Sequence, residues 1–371
     1  MSLSVIRNPD RGVWDAFVSS TLQGSIYQSY EWGQLLAGQG WEPIYLGVTD
    51  DEGLVGAALV LSRRLPRGLA CILYSPRGPV LSRPSVDVLA TLTRTVGKIA
   101  KERRGVFWRI DPPVLADDLG GCALFEQDGF RPVLQEWSYW NRPKYDMHLD
   151  LAPGEAALFD ALPKEGRKNI RSAGRKVTIR SGLSDEDIAA FHELLRCTAA
   201  KKRILIRDVD YFVRCRNLLG PAGMMRLFVA RHEGRPVCGG ITTRFGRKAV
   251  QLHIANDYSL PKVGWAVQWE MIRWAIAEGC DMYDLGGTAT SYPPRESDRG
   301  HGVYLFKRSL GAKIVRWYGY ADQVFRPHPY RCFRAIERSL PVSERLLTYR
   351  PRGIIGRLRG LNPLRHLGHR P

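Results

Sequence analysis

The sequence predicts an α+β fold built from two copies of one pattern of elements. Residues 42–64 and residues 225–246 each indicate two strands joined by an acidic-Gly turn. Residues 86–112 and residues 264–287 each indicate an amphipathic helix, a glycine turn and a strand that ends on an aspartate. This order of elements is typical of an acyltransferase half, and two such halves fit a chain of 371 residues.

Details of the hairpins and of the second helix support this interpretation. The two predicted turns are Glu52-Gly53 and Glu233-Gly234, and small residues follow at the start of each second strand. The second helix carries apolar side chains at three-and-four spacing, which favours burial of one face. These side chains are Trp265, Trp269, Ile272 and Ile276.

The charge of the chain is strongly positive, with 55 Lys and Arg residues against 37 Asp and Glu residues and a net charge of +18. Such a charge attracts polyanions, which include RNA, DNA, nucleotide diphosphates and an anionic membrane face. A hydrophobic fraction of 44% is sufficient for real cores and excludes global disorder.

The seven cysteines are widely spread, and neither a Cys pair nor a Cys/His group has the spacing of a metal site. This distribution predicts free thiols, no metal and a reducing compartment. The first residues lack an apolar signal segment, and no run of 18 apolar residues occurs. We therefore expect a cytoplasmic protein.

The loop that would bind coenzyme A in the second half is degraded. In acetyltransferases this loop carries Arg or Gln, then Gly, then Gly or Ala, and its amides bind the diphosphate. Gly264 and Ala266 fit the pattern, but Pro261 stands at the Arg/Gln position and has no amide hydrogen. The first half shows no such loop, so we expect an acyl donor other than acyl-CoA.

Seven short motifs follow one another between residues 20 and 330. They are YQSYEWGQL (27–35), YSPRGPV (74–80), WRIDPP (108–113), KEGRKNIRSAGRK (164–176), RDVDYF (207–212), EGCDMYDLGG (278–287) and GVYLFKRSLG (302–311). In this order they resemble the FemABX family of aminoacyl-tRNA-dependent peptidyltransferases, which form the interpeptide bridges of peptidoglycan.

The resemblance implies two tandem acetyltransferase (GNAT)-like domains without the coiled-coil arm of some family members. We expect the first domain over residues 1–147 and the second over residues 148–318. Residues 319–345 are expected to return to the first domain. Residues 346–371 form a basic tail, for which the alternatives are disorder and contact with an anionic membrane leaflet.

In this family an amino acid passes from the 3′ end of a tRNA to an amine, usually on the third residue of a stem peptide. The aminoacyl ester is already activated, so no covalent nucleophile is needed, and no Ser-His-Asp or Cys-His arrangement is found. The reaction needs a base, because a lysine-like amine is protonated at pH 7, and a cation for the oxyanion. Aminoacyl-tRNA is then a co-substrate, and no cofactor is expected.

Two residues match the family at the positions that carry this chemistry. The resemblance implies that Lys307, in the motif at residues 302–311, is the cation and that Asp111, in the IDP motif, is the base. The structural alternatives are a solvated lysine and an aspartate that caps the next turn. Residues 303–306 indicate a strand that delivers Lys307.

Five further residues are predicted to bind the acceptor substrate. Arg207 and Tyr211 match a family pair that binds the uridine diphosphate of a soluble precursor, which suits the planar fork of arginine. Tyr74 and Arg77 belong to the matching motif at residues 74–80. His253 lies on a strand that often carries a substrate-facing aromatic in the family. The alternatives are a helix-face pair for the first two and a structural histidine for the last.

Leu36 departs from the family pattern, which has a diphosphate-binding lysine near this position. A leucine side chain cannot bind phosphate, so either Arg207 and another cation hold the diphosphate or the acceptor differs. A lipid-linked precursor or an amine outside the cell wall would explain the change.

The motif at residues 164–176 predicts a short basic helix whose cations lie three or four residues apart and share a face. This face is predicted to neutralise phosphates of the tRNA acceptor stem, and the alternative is a solvated surface. Its cations are Lys164, Arg167, Lys168, Arg171, Arg175 and Lys176.

The sequence therefore predicts a monomeric aminoacyltransferase that uses aminoacyl-tRNA. Its acceptor is predicted to be the side-chain amine of a peptidoglycan precursor, either nucleotide-linked or lipid-linked. The first alternative is the same chemistry on a peptide antibiotic or another small amine. The others are an acyl-CoA-dependent N-acyltransferase and a basic RNA-binding protein that keeps the fold only.

Overall fold

The computed structural model describes residues 2–65, 68–133, 144–202, 206–288, 291–298 and 300–339. These residues form two sheets, one of eight strands and one of seven, and helices pack against both. The predicted α+β fold class is confirmed, and the described residues contain no coiled-coil arm. The predicted basic tail at residues 346–371 lies outside the described residues.

The first unit contains the eight-stranded sheet, in which the main path of strands runs β1-β2-β3-β4-β6-β15-β7 and β5 pairs with β3. Its strands are β1 (Ser4–Arg7), β2 (Glu42–Asp50), β3 (Gly53–Arg64), β4 (Cys71–Ser75), β5 (Val80–Leu81), β6 (Gly105–Ile110), β7 (Arg131–Pro132) and β15 (Ala321–Val324). Its helices are α1 (Arg11–Ser20), α2 (Tyr30–Ala37), α3 (Val86–Arg103), α4 (Leu119–Gln127) and α11 (Pro327–Ser339).

The second unit contains the seven-stranded sheet, in the order β14-β8-β13-β12-β11-β10-β9. Its strands are β8 (Tyr145–Asp150), β9 (Thr178–Gly182), β10 (Met225–His232), β11 (Arg235–Phe245), β12 (Lys248–Asn256), β13 (Met282–Gly287) and β14 (Lys313–Arg316). Its helices are α5 (Gly154–Ala161), α6 (Lys164–Gly174), α7 (Asp185–Lys202), α8 (Val209–Leu219), α9 (Val263–Ala277) and α10 (His301–Arg308).

The two predicted hairpins are confirmed as β2–β3 and β10–β11. Glu233 and Gly234 both have positive φ, as a tight two-residue hairpin turn requires. Both predicted helix–strand pairs are also present, as α3–β6 and α9–β13. The left-handed residue after α3 is Arg104, whereas the glycine predicted to form that turn begins β6.

Among the described strands, each sheet contains one parallel pair, β4–β6 in the first sheet and β12–β13 in the second. The aspartates predicted to end β6 and β13 lie where the pairing within each of these pairs stops. The β4–β6 ladder ends at Ser75 and Ile110, directly before Asp111. The β12–β13 ladder ends at Val250 and Asp284. Beyond these residues the strands no longer pair with each other, so each sheet opens at this edge. The second strand runs on to Gly287, three residues past the predicted end.

Strand β8 joins the two units and belongs to the second sheet, where it lies between β13 and β14. The predicted domain boundary at residue 147 falls inside this strand. The antiparallel register places His148 opposite both Asp284 on β13 and Lys313 on β14. Since directly opposite residues in an antiparallel pair share a face, these three side chains lie on one face of the sheet.

The chain returns to the first unit after β14. Strand β15 pairs with β6 and β7, and α11 packs beside β6. A fully buried ion cluster joins these elements, in which the Arg109 guanidinium donates to both Asp322 and Glu337. The two carboxylates outweigh the effect of burial and raise the pKa of Arg109 well above its ordinary value.

Candidate active site

The residue at the centre of the site is Lys307, and its local structure differs from the prediction. Residues 303–306 are not a strand but part of α10, so that prediction is wrong. The four-residue apolar run is too short to distinguish the two states, and packing decides between them. Phe306 packs edge-on against Trp265 of α9, with ring centroids 4.7 Å apart, while Val303 and Leu305 face solvent.

The ammonium group of Lys307 lies inside the protein, with 5% of the residue exposed. Its Nζ donates hydrogen bonds to the carbonyl oxygens of Gly286 and Gly287, at 2.9 and 2.6 Å. Gly286 has a φ of +77°, which glycine adopts without strain. Burial lowers the pKa of Lys307 to about 8, although Asp146 and Asp284 oppose this change. A buried cation is thus held at the opened edge of the second sheet.

A carboxylate beside Lys307 connects the site to the first unit. Asp146, on β8, is fully buried and accepts the indole N–H of Trp317 at 2.8 Å. Asp146 also accepts from the guanidinium of Arg77, in the loop after β4 in the first unit. Arg77 also lies over the Trp317 ring, with its guanidinium carbon 4.4 Å from the centroid. The predicted residues Arg77 and Lys307 therefore meet at the same carboxylate.

Asp111 joins this arrangement through Arg77. It is buried, and its Oδ1 accepts the backbone N–H of Arg77 at 2.8 Å. Arg77 has a φ of +48°, an uncommon conformation for a residue with a side chain, so this bond helps to hold the loop in shape. Asp111 as the catalytic base stays a prediction, and the observed bond gives it a positioning role.

A histidine and a second carboxylate complete the cluster. The Nε2 of His148 lies 3.8 Å from Oδ1 of Asp284, and no described residue forms a hydrogen bond with this nitrogen. Asp284 also accepts the backbone N–H of Gly286 at 2.6 Å. The His148 ring packs edge-on against Trp317, with centroids 5.5 Å apart.

Asp146, His148 and Asp284 could hold a metal ion, since ligand atoms of all three lie within 4.8 Å of one another. The Lys307 ammonium, which both carboxylates attract, supplies a positive charge at this position without a metal. The absence of a metal from the reaction stays a prediction.

The other predicted acceptor contacts form a second cluster between α2 and α8. The guanidinium carbon of Arg207 lies 4.8 Å from the centroid of the Tyr211 ring, and the group donates to Gln39, just after α2. The ring of His253 lies 6.2 Å from that of Tyr211. Burial and the nearby Arg207 cation lower the pKa of His253 to about 4, so this histidine is neutral at physiological pH. Arg207 precedes α8, so the pair does not share a helix face.

Two positions near these clusters have the surroundings of core residues. Tyr74 is fully buried, and its ring lies 6.3 Å from Trp41 and 6.4 Å from Tyr320. Leu36, at the position of the expected lysine, is 1% exposed. A direct contact of Tyr74 with substrate stays a prediction.

The predicted basic helix is confirmed as α6, which packs against α9 and also contacts Ser309, the residue after the helix that carries Lys307. Gly166 allows this close approach, because a Cβ at this position would clash with the carbonyl oxygen of Ser309. Arg167 is engaged within the protein, where it donates to the carbonyl oxygens of Asp160 and Leu162 at 2.5 and 2.6 Å. The exposed cations of the motif are Lys164, Lys168, Arg171, Arg175 and Lys176.

Comparisons with known proteins agree with the two units described above. Residues 11–121 match the model of the FemAB family, and residues 164–293 match that of the acetyltransferase (GNAT) domain. A relative from Weissella viridescens, UDP-N-acetylmuramoylpentapeptide-lysine N(6)-alanyltransferase, is 28% identical over 339 residues. That match covers 85% of this chain and 94% of the relative. The chain is similar to the FemABX family.

Further matches extend over most of the chain. Lipid II:glycine glycyltransferase of Staphylococcus saprophyticus is 24% identical over 396 residues, covering 88% of this chain and 94% of the relative. The crystal structure of FemX has a TM-score of 0.80 at 19% identity and covers 90% of this chain and 99% of its own. A tandem GNAT protein from the clavulanic acid pathway has a TM-score of 0.53 at 13% identity, covering 86% and 98%. The predicted pair of GNAT-like units is confirmed.

The start of α9 is the place where a coenzyme A loop would lie, and an acyl donor other than acyl-CoA stays a prediction. Lys262, directly before the helix, has a φ of +68° and its Nζ lies 3.2 Å from a carboxylate oxygen of Glu165 on α6. Phe306 covers Trp265 in the first turn. Side chains therefore occupy the surroundings of this helix start.

The sequence analysis missed Asp146, His148 and Trp317, and assigned no role to Asp284. A signal was present in β8, where Asp146, His148 and Asp150 alternate with the apolar residues Met147 and Leu149. The alternation places the polar side chains on one face of a strand, but only the sheet order shows what that face meets.

All seven cysteines are free thiols, as predicted. None of the helices in the described ranges is long and apolar enough to cross a membrane.

Proposed function

We propose that this protein is an aminoacyl-tRNA-dependent aminoacyltransferase of the FemABX type that adds an amino acid to a peptidoglycan precursor. The acceptor is the side-chain amine of the stem peptide, and the reaction contributes to interpeptide bridges. The observation that carries the proposal is the buried Lys307 ammonium at the opened edge of the second sheet. The activities named for the two relatives, a lysine alanyltransferase and a lipid II glycyltransferase, support the reaction class.

In this proposal Lys307 stabilises the negative charge that develops as the ester is attacked. A fixed cation in a site shielded from water stabilises such a charge more than water does and needs no reorganisation. The ester carbonyl oxygen, or the ribose oxygen that leaves, lies within reach of Nζ. The hydrogen bonds from Nζ to Gly286 and Gly287 hold the charge in place before the substrate arrives.

The donor is proposed to approach over α6. This helix carries exposed cations, and at Gly166 it contacts Ser309, the residue that follows α10. Phosphates of an acceptor stem bound on this face would bring the 3′ end toward Lys307. The net charge of +18 favours such an encounter.

The acceptor is proposed to bind near Arg207 and Tyr211. The Arg207 guanidinium can donate two hydrogen bonds to a diphosphate, which occurs in both nucleotide-linked and lipid-linked precursors. The buried Leu36 offers no second cation there. We place the reaction on the cytoplasmic side, where the donor is available, with peripheral membrane contact if the acceptor is lipid-linked.

The experiment that tests the proposal is a transfer assay with purified protein. Radiolabelled alanyl-tRNA, glycyl-tRNA and a pool of other aminoacyl-tRNAs are mixed with UDP-linked muramoyl pentapeptide or with lipid II in micelles. We expect label to move to one of these acceptors in a bond that survives mild base, as an amide does and an ester does not. Stable aminoacyl-tRNAs and unlabelled acceptors in the presence of folded protein would contradict the proposal.

We expect Lys168→Ala combined with Arg175→Ala to raise the KM for aminoacyl-tRNA by about tenfold at 0.1 M salt. In a plot of log KM against log salt concentration, the slope for this double variant should be smaller than the wild-type slope by about one to two. The value of kcat should stay within about twofold. Initial rates at several salt concentrations provide both quantities.

The matched control is Lys98→Ala combined with Lys101→Ala, which removes the same charge from exposed positions on α3. This control should change the KM by less than about twofold. Equal effects of the two double variants would show that net charge, and not the α6 face, governs binding of the donor.

A further inference from the structure

An exposed tyrosine lies beside the second sheet, in the loop between β13 and α10. Tyr292 is 50% exposed. Its ring lies nearly parallel to that of Tyr145 on β8, with centroids 6.4 Å apart and planes 16° apart. The guanidinium carbon of Arg316, on β14, lies 5.0 Å from the centroid of the Tyr292 ring. These three side chains, Tyr145, Tyr292 and Arg316, form the Tyr292 stack.

Both partners of Tyr292 reach its ring from the sheet. Arg316 lies directly opposite Tyr145 in the antiparallel β8–β14 ladder, so the two side chains project from one face of the sheet. Ile314 lies two residues before Arg316 on the same face, and it packs against the same core as the aromatic side chains of α10. The sheet therefore covers one side of the Tyr292 ring. The exposed half of the ring faces outward, on the side of the sheet where α10 lies.

Hydrogen bonds hold the loop that carries Tyr292. The carboxylate of Asp298 accepts from the Ser291 hydroxyl and from the backbone N–H of Arg295, the latter at 2.9 Å. The backbone N–H of His301, the first residue of α10, donates to the Asp298 carbonyl oxygen at 3.0 Å. The loop is thus tied to the start of α10, and the aromatic surface is in place before a ligand arrives, which lowers the cost of binding.

The Tyr292 stack borders the site of the buried ammonium along two strands. Tyr145 directly precedes Asp146, and Arg316 directly precedes Trp317, whose indole donates to that carboxylate. The carbonyl oxygen of Tyr145 also accepts the backbone N–H of Thr288 at 3.1 Å. Thr288 follows the two glycines whose carbonyl oxygens hold the ammonium. A ligand on the stack is therefore next to the reacting centre.

The chemistry of the stack suits a nucleotide. An exposed aromatic face binds a base by stacking, and every base has a face that can stack. An arginine beside the ring can donate two hydrogen bonds to a phosphate. Among the residues that the structure describes, Arg316 forms no ion pair, so its charge is available to such a ligand.

We propose that the outer face of Tyr292 binds the 3′-terminal adenine of the aminoacyl-tRNA and that Arg316 binds the adjoining phosphate. The inference rests on the proposed transfer reaction and names the surface that positions the donor. Since the ester is attached to the ribose of the same nucleotide, a fixed base restricts the position of the ester beside Lys307.

The uridine of a nucleotide-linked acceptor has similar chemistry, but the positions of the two clusters favour the donor. The acceptor diphosphate is proposed to bind Arg207, in the cluster between α2 and α8. The Tyr292 stack lies instead on the α10 side of the second sheet. On this side α6, with its exposed cations, contacts Ser309 at the end of α10.

The first test measures binding of a short RNA hairpin that ends in single-stranded CCA and carries 2-aminopurine in place of the last adenine. The hairpin is not aminoacylated, so binding does not depend on transfer. Stacking quenches 2-aminopurine, and we expect its fluorescence to fall when the wild-type chain binds. In Tyr292→Ala the fall should be absent and the Kd should rise at least about fivefold, as loss of one base–aromatic stack typically does. Tyr292→Phe keeps the ring and should bind as the wild-type chain does.

Arg316→Gln tests the phosphate contact with the same hairpin. In a plot of log Kd against log salt concentration, the slope should become smaller by about 0.7 to 1, because one phosphate contact is lost. Arg196→Gln is the matched control, since it removes an exposed arginine from α7, and it should leave the slope unchanged. An unchanged slope in Arg316→Gln would remove this residue from the site. Circular dichroism and thermal unfolding report whether each variant is folded.

A hairpin with an abasic last nucleotide separates stacking from a structural effect of the substitution. This hairpin should bind the wild-type chain at least about fivefold more weakly than the intact hairpin. The two hairpins should bind Tyr292→Ala equally, because the stack is already lost in that variant. The same penalty for the abasic hairpin in both proteins would overturn the inference.

Two other results would also overturn it. If Tyr292→Ala weakens binding of UDP-linked muramoyl pentapeptide and leaves binding of the hairpin unchanged, the uridine of the acceptor occupies the stack. If the wild-type chain binds the hairpin without a change in 2-aminopurine fluorescence, the terminal base lies elsewhere.

Failure of the inference and failure of the proposed function are different results. If the hairpin binds with quenching but no label moves in the transfer assay, the reaction is contradicted and the stack stands as a nucleotide site. If label moves and Tyr292→Ala keeps the wild-type KM for aminoacyl-tRNA, the reaction stands and Tyr292 does not bind the donor.

Discussion

Replacing Lys307 with methionine is expected to lower kcat for aminoacyl transfer by about 10²-fold or more. Methionine has a similar length and fills the same buried space, but it removes the charge that faces the developing oxyanion. Loss of one electrostatic stabiliser of this kind typically has this effect on kcat. The KM for either substrate should change little, because the proposed interaction forms in the transition state. Steady-state rates with saturating donor and acceptor measure the effect.

Arg308→Met is the matched control for this variant. It removes one cation from the next position of α10, where the side chain is exposed. Its kcat should remain within about twofold of the wild-type value. Transfer by Lys307→Met at the wild-type rate would show that the buried ammonium has no part in the chemistry.

The protonation of Lys307 should also be visible in the pH profile. Burial lowers the pKa of Lys307 to about 8, so the ammonium is present below this pH and is lost above it. We therefore expect kcat to fall as the pH rises through about 8. In Lys307→Arg this alkaline limb should disappear, even if the rate is lower, because a guanidinium stays protonated. An alkaline limb of unchanged position in the arginine variant would assign it to another group.

The largest expected loss of stability follows from replacing Arg109 with methionine. The substitution leaves Asp322 and Glu337 buried without their shared cation. Removing one partner from a buried ion cluster costs about 3–5 kcal/mol in the free energy of unfolding. Urea denaturation, followed by tryptophan fluorescence and circular dichroism, should show the first unit unfolding at a lower concentration. The second unit should be affected less.

Two further variants test the reason for this loss. Arg196→Met removes an exposed arginine whose side chain is 65% accessible, and it should cost about 0–1 kcal/mol. Combining Arg109→Met with Asp322→Leu and Glu337→Leu should recover part of the stability, since neither buried carboxylate is then left without the Arg109 cation. The recovery should be incomplete, because Arg334 loses its partner Glu337. A triple variant no more stable than the single one would mean that packing, and not charge, dominates at this position.

Local patterns were sufficient to predict most of the framework. The largely apolar runs of β2–β3 and β10–β11, with Gly53 and Gly234 at the turns between them, predicted both hairpins. The periodicity of α9 and the basic face of α6 were equally clear. These features depend on interactions between near neighbours, which a sequence displays directly.

The site was only partly predictable, because its parts meet through distant segments. Lys307 could be predicted from a motif, but the helix that carries it could not. The short apolar run at residues 303–306 fits a helix or a strand, and only the packing of Phe306 against Trp265 decides between them. His148 was missed because its place in the cluster depends on β8 lying between β13 and β14. That pairing joins residues more than 130 positions apart and leaves no local pattern.

The position of β15 in the first sheet has a consequence for synthesis of the chain. A ribosome completes every strand of the second sheet, residues 145–316, before it supplies Ala321–Val324 to the first. During this time Arg109 lacks its partners Asp322 and Glu337, which are 213 and 228 residues further along the chain. Although domains generally fold in order of synthesis, the later unit of this protein can close before the earlier one is finished. Until then, the exposed edge of β6 on the nascent chain is a binding site for a chaperone or for a wrong strand.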